Sequence, residues 1–246
     1  MDRRTFLSST ACALPAAAVP VASASAAATR TRIYVGDTAP YSFTGANGAP
    51  AGVAYEMVEL LAQDLQVDLE PLVAPLVRAF KETESKGRAL IIPPARIPSR
   101  EKLVQWVAPL VPIRLMMFAR RGSSYDIASI ASAKDLEVGI LSAPGLEEAY
   151  RSAGFQRVKR LPSNEAAIRM LMNDRLPAVL TADCSVYNAL KEAGISGTEV
   201  REGVVLSAVT LWLAASMDFP EAELRQWQSA AERHKAALAR ILAKYV

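Results

Sequence analysis

The chain has 246 residues, 51% hydrophobic and 22% charged, with 15 Pro and 12 Gly. That balance excludes a disordered tail, a fibre and a repeat array, and the length accommodates one large domain or two lobes of about 100 residues each. A net charge of +3 with both signs mixed and no dense Lys/Arg cluster argues against nucleic acid as a partner, and two Cys with one His exclude most metal sites and His-based catalysis.

Residues 1–28 read as an address. Asp2-Arg3-Arg4-Thr5-Phe6-Leu7 resembles a twin-arginine export signal, and a mildly apolar stretch from Ser8 to Val21 follows it. Small residues at Ala24-Ser25-Ala26 and Ala26-Ala27-Ala28 complete the pattern of a cleaved secretory peptide. Pro15 and Pro20 break the apolar stretch, which is too short and too weak for a membrane anchor. Cys12 lacks the preceding apolar run and Leu of a lipid attachment site. Cleavage near residue 28 removes Cys12 and leaves Cys184 alone, so no intramolecular disulfide is expected. The mature chain would carry 26 basic and 24 acidic residues, a net charge of +2.

Thr31–Gly36 alternates polar and apolar residues and predicts a first strand. Tyr41-Ser42-Phe43 and Asn47-Gly48 suggest a short hairpin-like excursion. Met57, Val58, Leu61 and Leu65 recur at helical spacing within Tyr55–Leu65. A strand over Val67–Val73, a helix over Leu76–Ser85 and a strand over Ala89–Ile92 complete a first α/β unit. Arg114–Arg121 is an extended apolar segment. A second unit runs through strand Glu137–Leu141, helix Leu146–Ala153, strand Val158–Leu161, helix Asn164–Met172, strand Ala178–Thr181 and helix Ser185–Ala193. Gly203–Met217 carries no charge over 15 residues, too short to span a membrane, and suits a buried strand pair. Pro220 precedes one long helix ending near Tyr245, with Leu224, Trp227, Ala231, Leu238, Ile241 and Leu242 as its apolar stripe.

Two segments therefore join two units, and the expected fold class is α/β with two lobes, each a mainly parallel sheet flanked by helices, on a double-strand hinge. The expected boundaries are 29–118 with 206–246 for the first lobe and 119–205 for the second. Ligands of open α/β sheets sit at the carboxyl ends of strands and between lobes. Tyr41, Arg78, Arg96, Arg100 and Asp183 each fall just after a predicted strand, or in the loop or helix that follows one. A guanidinium such as Arg100 grips a carboxylate through two parallel hydrogen bonds. Asp183 suits an amine or hydroxyl, so Arg on one lobe and Asp on the other would bridge a zwitterion and favour closure.

The run from Gly36 through Tyr41-Ser42-Phe43, Gly48 and Gly52 to Tyr55 resembles the start of the extracytoplasmic solute-binding proteins of family 3, the polar amino-acid receptors of ABC importers. Pro75-Leu76-Val77-Arg78-Ala79-Phe80 is similar to that family's Pro-Trp-x-Arg-x-Leu variant. Ala95-Arg96-Ile97-Pro98-Ser99-Arg100-Glu101, with Trp106 and Pro109 beyond, resembles its Arg-Thr-Pro-Glu-Arg…Phe-Ser-x-Pro signature. Val138-Gly139-Ile140 with Glu147-Glu148, and Val179–Asp183, resemble its second-lobe landmarks. The resemblance covers residues 31–246. It implies a two-lobed periplasmic-binding-protein-like fold of type 2 and a periplasmic receptor for a small polar or anionic solute, amino acid or organic acid. It also implies an ABC permease as partner, a monomer, no cofactor and no catalysis. Arg100 would then hold the solute's carboxylate, Asp183 its amino group, and the aromatic near Tyr41 its side chain. Pro93-Pro94-Ala95 and Ala143-Pro144-Gly145 stand where the family carries carboxylate donors. Arg96 and Arg78 are the expected substitutes, and a small anion other than a standard α-amino acid comes into range.

Two other functions stay open from the residues: a sensory or accessory binding module without transport, and a dehydratase-like enzyme on the same fold. Against the enzyme, the chain carries no G-x-S-x-G or H-E-x-x-H motif and no evident carboxylate dyad. Trp106, Trp212 and Cys184 read as core, and His234 as a surface residue.

Overall fold

The computed structural model describes residues 30–141 and 150–245, leaving out the side chains of residues 84–86. Residues 1–28, expected to be an export signal, and Ala143-Pro144-Gly145 lie outside the described residues.

The first element, β1 (Arg30–Gly36), is buried from both sides because helices cover both faces of its sheet. Ile33 and Val35 pack toward α1 (Val53–Asp64), and Tyr34 packs with Ala79 of α2 (Leu76–Lys86). Between β1 and α1, β2 (Phe43–Thr44) and β3 (Pro50–Ala51) form the expected hairpin. Helix α1 buries Val53, Ala54, Met57, Val58, Leu61 and Ala62, the one-sided stripe its spacing requires. Truncating Leu61, fully buried, to Ala would cost about 2–5 kcal/mol. Its start depends on Gly52 at φ 112°, where a Cβ would lie 2.6 Å from the Tyr41 carbonyl oxygen.

Strands β4 (Asp68–Ala74) and β5 (Leu90–Ile92) flank β1, both parallel to it. Then comes β6 (Gln105–Arg120), 16 residues long. The second unit follows with a short α3 (Ile130–Ala133), β7 (Glu137–Leu141), β8 (Arg157–Leu161), α4 (Asn164–Met172), β9 (Ala178–Ala182) and α5 (Asp183–Glu192). The helix expected over Leu146–Ala153 lies largely outside the described residues. Strand β10 (Val200–Ala215) then pairs antiparallel with β6 from Val200 opposite Arg120 to Ala215 opposite Gln105.

The described strands form one mixed eight-stranded sheet in the order β4-β1-β5-β10-β6-β9-β7-β8. Its two parallel halves are joined by β6 and β10, which run roughly 50 Å through both. These halves are the two lobes, and each has apolar clusters on both faces of the sheet. The expected lobe limits 118 and 206 both fall inside the long strands.

Three local expectations are corrected. The extended segment begins at Gln105 rather than Arg114. Pro109 and Pro112 conceal it, yet both lie where β6 has a neighbour on one side only, since β9 joins at Leu115. Gly203–Met217 contributes one long strand rather than a strand pair, because its partner is β6, about 100 residues away in sequence. The long C-terminal helix is two, α6 (Glu221–Arg233) and α7 (Lys235–Leu242), broken at His234. His234 Nε2 lies 3.2 Å from one Asp64 carboxylate oxygen, and Arg233 grips the other. Of the expected apolar stripe, Leu224, Trp227, Ala231 and Leu238 are buried, and Ile241 and Leu242 are half-buried against the same core.

Candidate functional site

The carboxyl ends of β1, β5 and β9 bring the loops of the two lobes toward the hinge strands. The loop after β1 carries Tyr41 into the core of the first lobe, where its carbonyl accepts the Ala54 N–H at 2.8 Å and so seats the start of α1. The Tyr41 hydroxyl lies 3.3 Å from Ser185 Oγ across the lobes. Burial pushes its phenol well above the ordinary range.

Beyond β5 the chain keeps pairing with β10. Arg96 N donates to Thr210 O at 3.2 Å, and Trp212 N to Pro94 O at 2.9 Å. The Arg96 guanidinium makes two bonds to Glu101, 2.6 and 3.1 Å, and lies 5.4 Å from the Trp106 ring and 4.8 Å from the Trp212 ring. The loop is thus pinned to both hinge strands. Arg96 also lines a groove of about 360 Å3 with Pro112, Arg114, Thr210 and Trp212.

Arg100 closes the single turn that follows. It is half-buried, 5.4 Å from the Phe80 ring, with one long bond from Nη1 to Ala95 O at 3.4 Å. Among the described residues no carboxylate pairs with it. Desolvation lowers its pKa, the signature of a cation without a compensating anion. Arg78 is different: it lies 68% exposed on α2 and pairs with Glu82, 2.6 Å away, which raises its pKa.

Asp183 opens α5, 7% exposed. Its carboxylate accepts the Arg114 Nε at 2.9 Å, the Arg114 backbone N–H at 3.2 Å and the Cys184 N–H at 2.9 Å. Arg114 raises its own pKa by this contact and also reaches Glu202, 3.2 Å away, which accepts the Tyr187 hydroxyl at 2.8 Å. Cys184 packs in the first-lobe core, and burial pushes its thiol up to about 11.

The structure therefore places Arg96 and Arg100 on one loop, and Tyr41 beside α5, which Asp183 opens, through Ser185. Arg78 lies apart, on the face of α2. Sequence reasoning missed Arg114, Ser185 and Glu202. Arg114 had a signal: it is the single charge in the apolar run from Trp106 to Ala119, and a charge in such a run needs a partner. Chemically, the arrangement can hold a small anion by ion pairing and hydrogen bonds.

Among the described residues no three His, Cys, Asp or Glu side chains gather as metal ligands, and no helix is long and apolar enough to cross a membrane. The chain is similar in fold to several solved structures. An ancestral cationic amino-acid solute-binding protein is 16% identical at a TM-score of 0.73, over 88% of this chain and 95% of that one. A histidine kinase sensor domain with similarity to periplasmic binding proteins is 19% identical at 0.69, over 89% and 96%. A mutant of ArgBP from T. maritima is 17% identical at 0.66, over 88% and 94%. No curated protein sequence matches the chain. Residues 32–245 match the model of one family, so the chain belongs to the bacterial extracellular solute-binding proteins, family 3.

Proposed function

We propose that this protein is a periplasmic receptor, exported by the twin-arginine route, that closes its lobes on a small polar or anionic solute and delivers it as a monomer to an ABC-type permease. The observation that carries the reading is Arg100: a half-buried guanidinium on the loop between β5 and β6 that no carboxylate neutralises among the described residues. Leaving such a cation unpaired costs stability, and a bound anion returns it as charge-assisted hydrogen bonds. In this reading the lobes are residues 29–118 with 206–246, and 119–205, and closure bends β6 and β10. The lobe packing of Tyr41 and the ion pairs of Arg96 and Asp183 make them supports of the site, with Arg100 as the contact to solute and Arg78 outside it.

The test is a thermal-shift screen of the chain from Thr29 onward, refolded to remove carried-over solute, against amino acids, dicarboxylates, aromatic acids and small peptides. A solute at 100 times its Kd adds about 2.7 kcal/mol, a rise of roughly 5–10 °C for a chain of this size. A flat screen overturns the receptor reading. Transport is tested separately: cells lacking the chain should lose uptake of the solute found, whereas intact uptake would assign the binding step to a sensory module.

A further inference from the structure

We infer that Arg114 selects the class of solute: by filling Asp183 from within the chain, it makes the site prefer carboxylates that lack an amino group. This rests on the receptor reading above. A carboxylate offers about four acceptor positions. Three donors already occupy Asp183, one of them a full positive charge at 2.9 Å, in a place almost closed to water. With one acceptor position left, a solute ammonium would have to share this group with the resident guanidinium or displace it. The guanidinium is held at its other end too, since Nη1 and Nη2 donate to Glu202 at 3.4 and 3.2 Å.

The remaining charges follow the same pattern. Arg78 is matched by Glu82 and Arg96 by Glu101. Glu202 is the surplus acid of the Arg114 cluster, but it is 38% exposed and screened by water. Arg100 alone of the five expected site residues is charged, partly desolvated and without a counter-ion among the described residues. The site therefore offers a cation to a solute and withholds its buried anion.

The experiment measures Kd by calorimetry for matched pairs that differ only by an α-amino group: succinate and aspartate, glutarate and glutamate, 3-phenylpropionate and phenylalanine. Wild type should bind the amino-free member of a pair at least about tenfold tighter. Arg114→Lys keeps the internal cation and should keep the preference. Arg114→Gln frees Asp183 and should shift the ratio toward the amino member by about tenfold or more. Far-UV circular dichroism confirms that each variant is folded, and the ratio of affinities is a quantity that uniform loss of packing leaves unchanged. Preference of the wild type for the amino member, or an unchanged ratio in folded Arg114→Gln, overturns this inference alone. Absence of binding by every acid and amino acid overturns it together with the receptor reading.

Discussion

The hydroxyls of Tyr41 and Ser185 meet at 3.3 Å in a buried position, one from the loop after β1 and the other from the first turn of α5. They join lobes whose nearest covalent connection is the pair of long strands. Tyr41→Phe removes this bond and leaves the Ser185 hydroxyl without its Tyr41 partner. The expected loss is about 1–2 kcal/mol in urea unfolding, with Ser185→Ala costing a similar amount. The double variant should lose less than the sum of the two; strict additivity would show that the contact does not form.

Arg100→Met should behave in the opposite way. Losing a cation that pairs with no carboxylate among the described residues should change unfolding stability by less than about 1 kcal/mol. Affinity for the solute should fall by a factor of about 10–150, the range of a lost charge-assisted hydrogen bond. An affinity within about threefold of wild type would remove Arg100 from the site.

Arg96→Ala separates support from contact. It breaks an exposed pair with Glu101 and two contacts to tryptophan rings. Tryptophan fluorescence should report greater exposure of Trp106 and Trp212, since the guanidinium covers both. Unchanged fluorescence would show that the stacking does not persist in solution.

Cys184 gives a pH prediction. Its thiol is buried and its pKa is pushed up to about 11, first by desolvation and then by Asp183. A group whose native pKa lies above the unfolded value of about 8.5 lends stability that is complete below that value and is lost as pH rises toward the native pKa. Between pH of about 8.5 and 11, wild type should therefore lose more stability than Cys184→Ala, measured as the shift of the urea midpoint. For the same reason Cys184, in the chain from Thr29 onward, should resist alkylation at pH 8 and react only when the chain is unfolded.

How much of this was legible in advance differs by residue. The period-two run of β1 and the stripe Met57, Val58, Leu61 belong to short windows, so strand and helix could be read directly. The signature around Arg100 was likewise local. Asn164–Met172 matches its helix residue for residue, with the Ser163 side chain accepting the Ala166 N–H at its start.

What the sequence determined alone was therefore the order of strands and helices, the two units, and the loops that carry the charged side chains, because each rests on neighbours a few residues apart. Only the tertiary structure decided which charges remain free. Arg114 and Asp183 are 69 positions apart, and Tyr41 and Ser185 are 144. Their meeting depends on the register of β6 against β9, where Leu115 stands opposite Ala182 and so sets the next pair, Arg114 and Asp183, face to face. Register is fixed by packing both faces of a sheet at once, a condition that no local window of sequence contains.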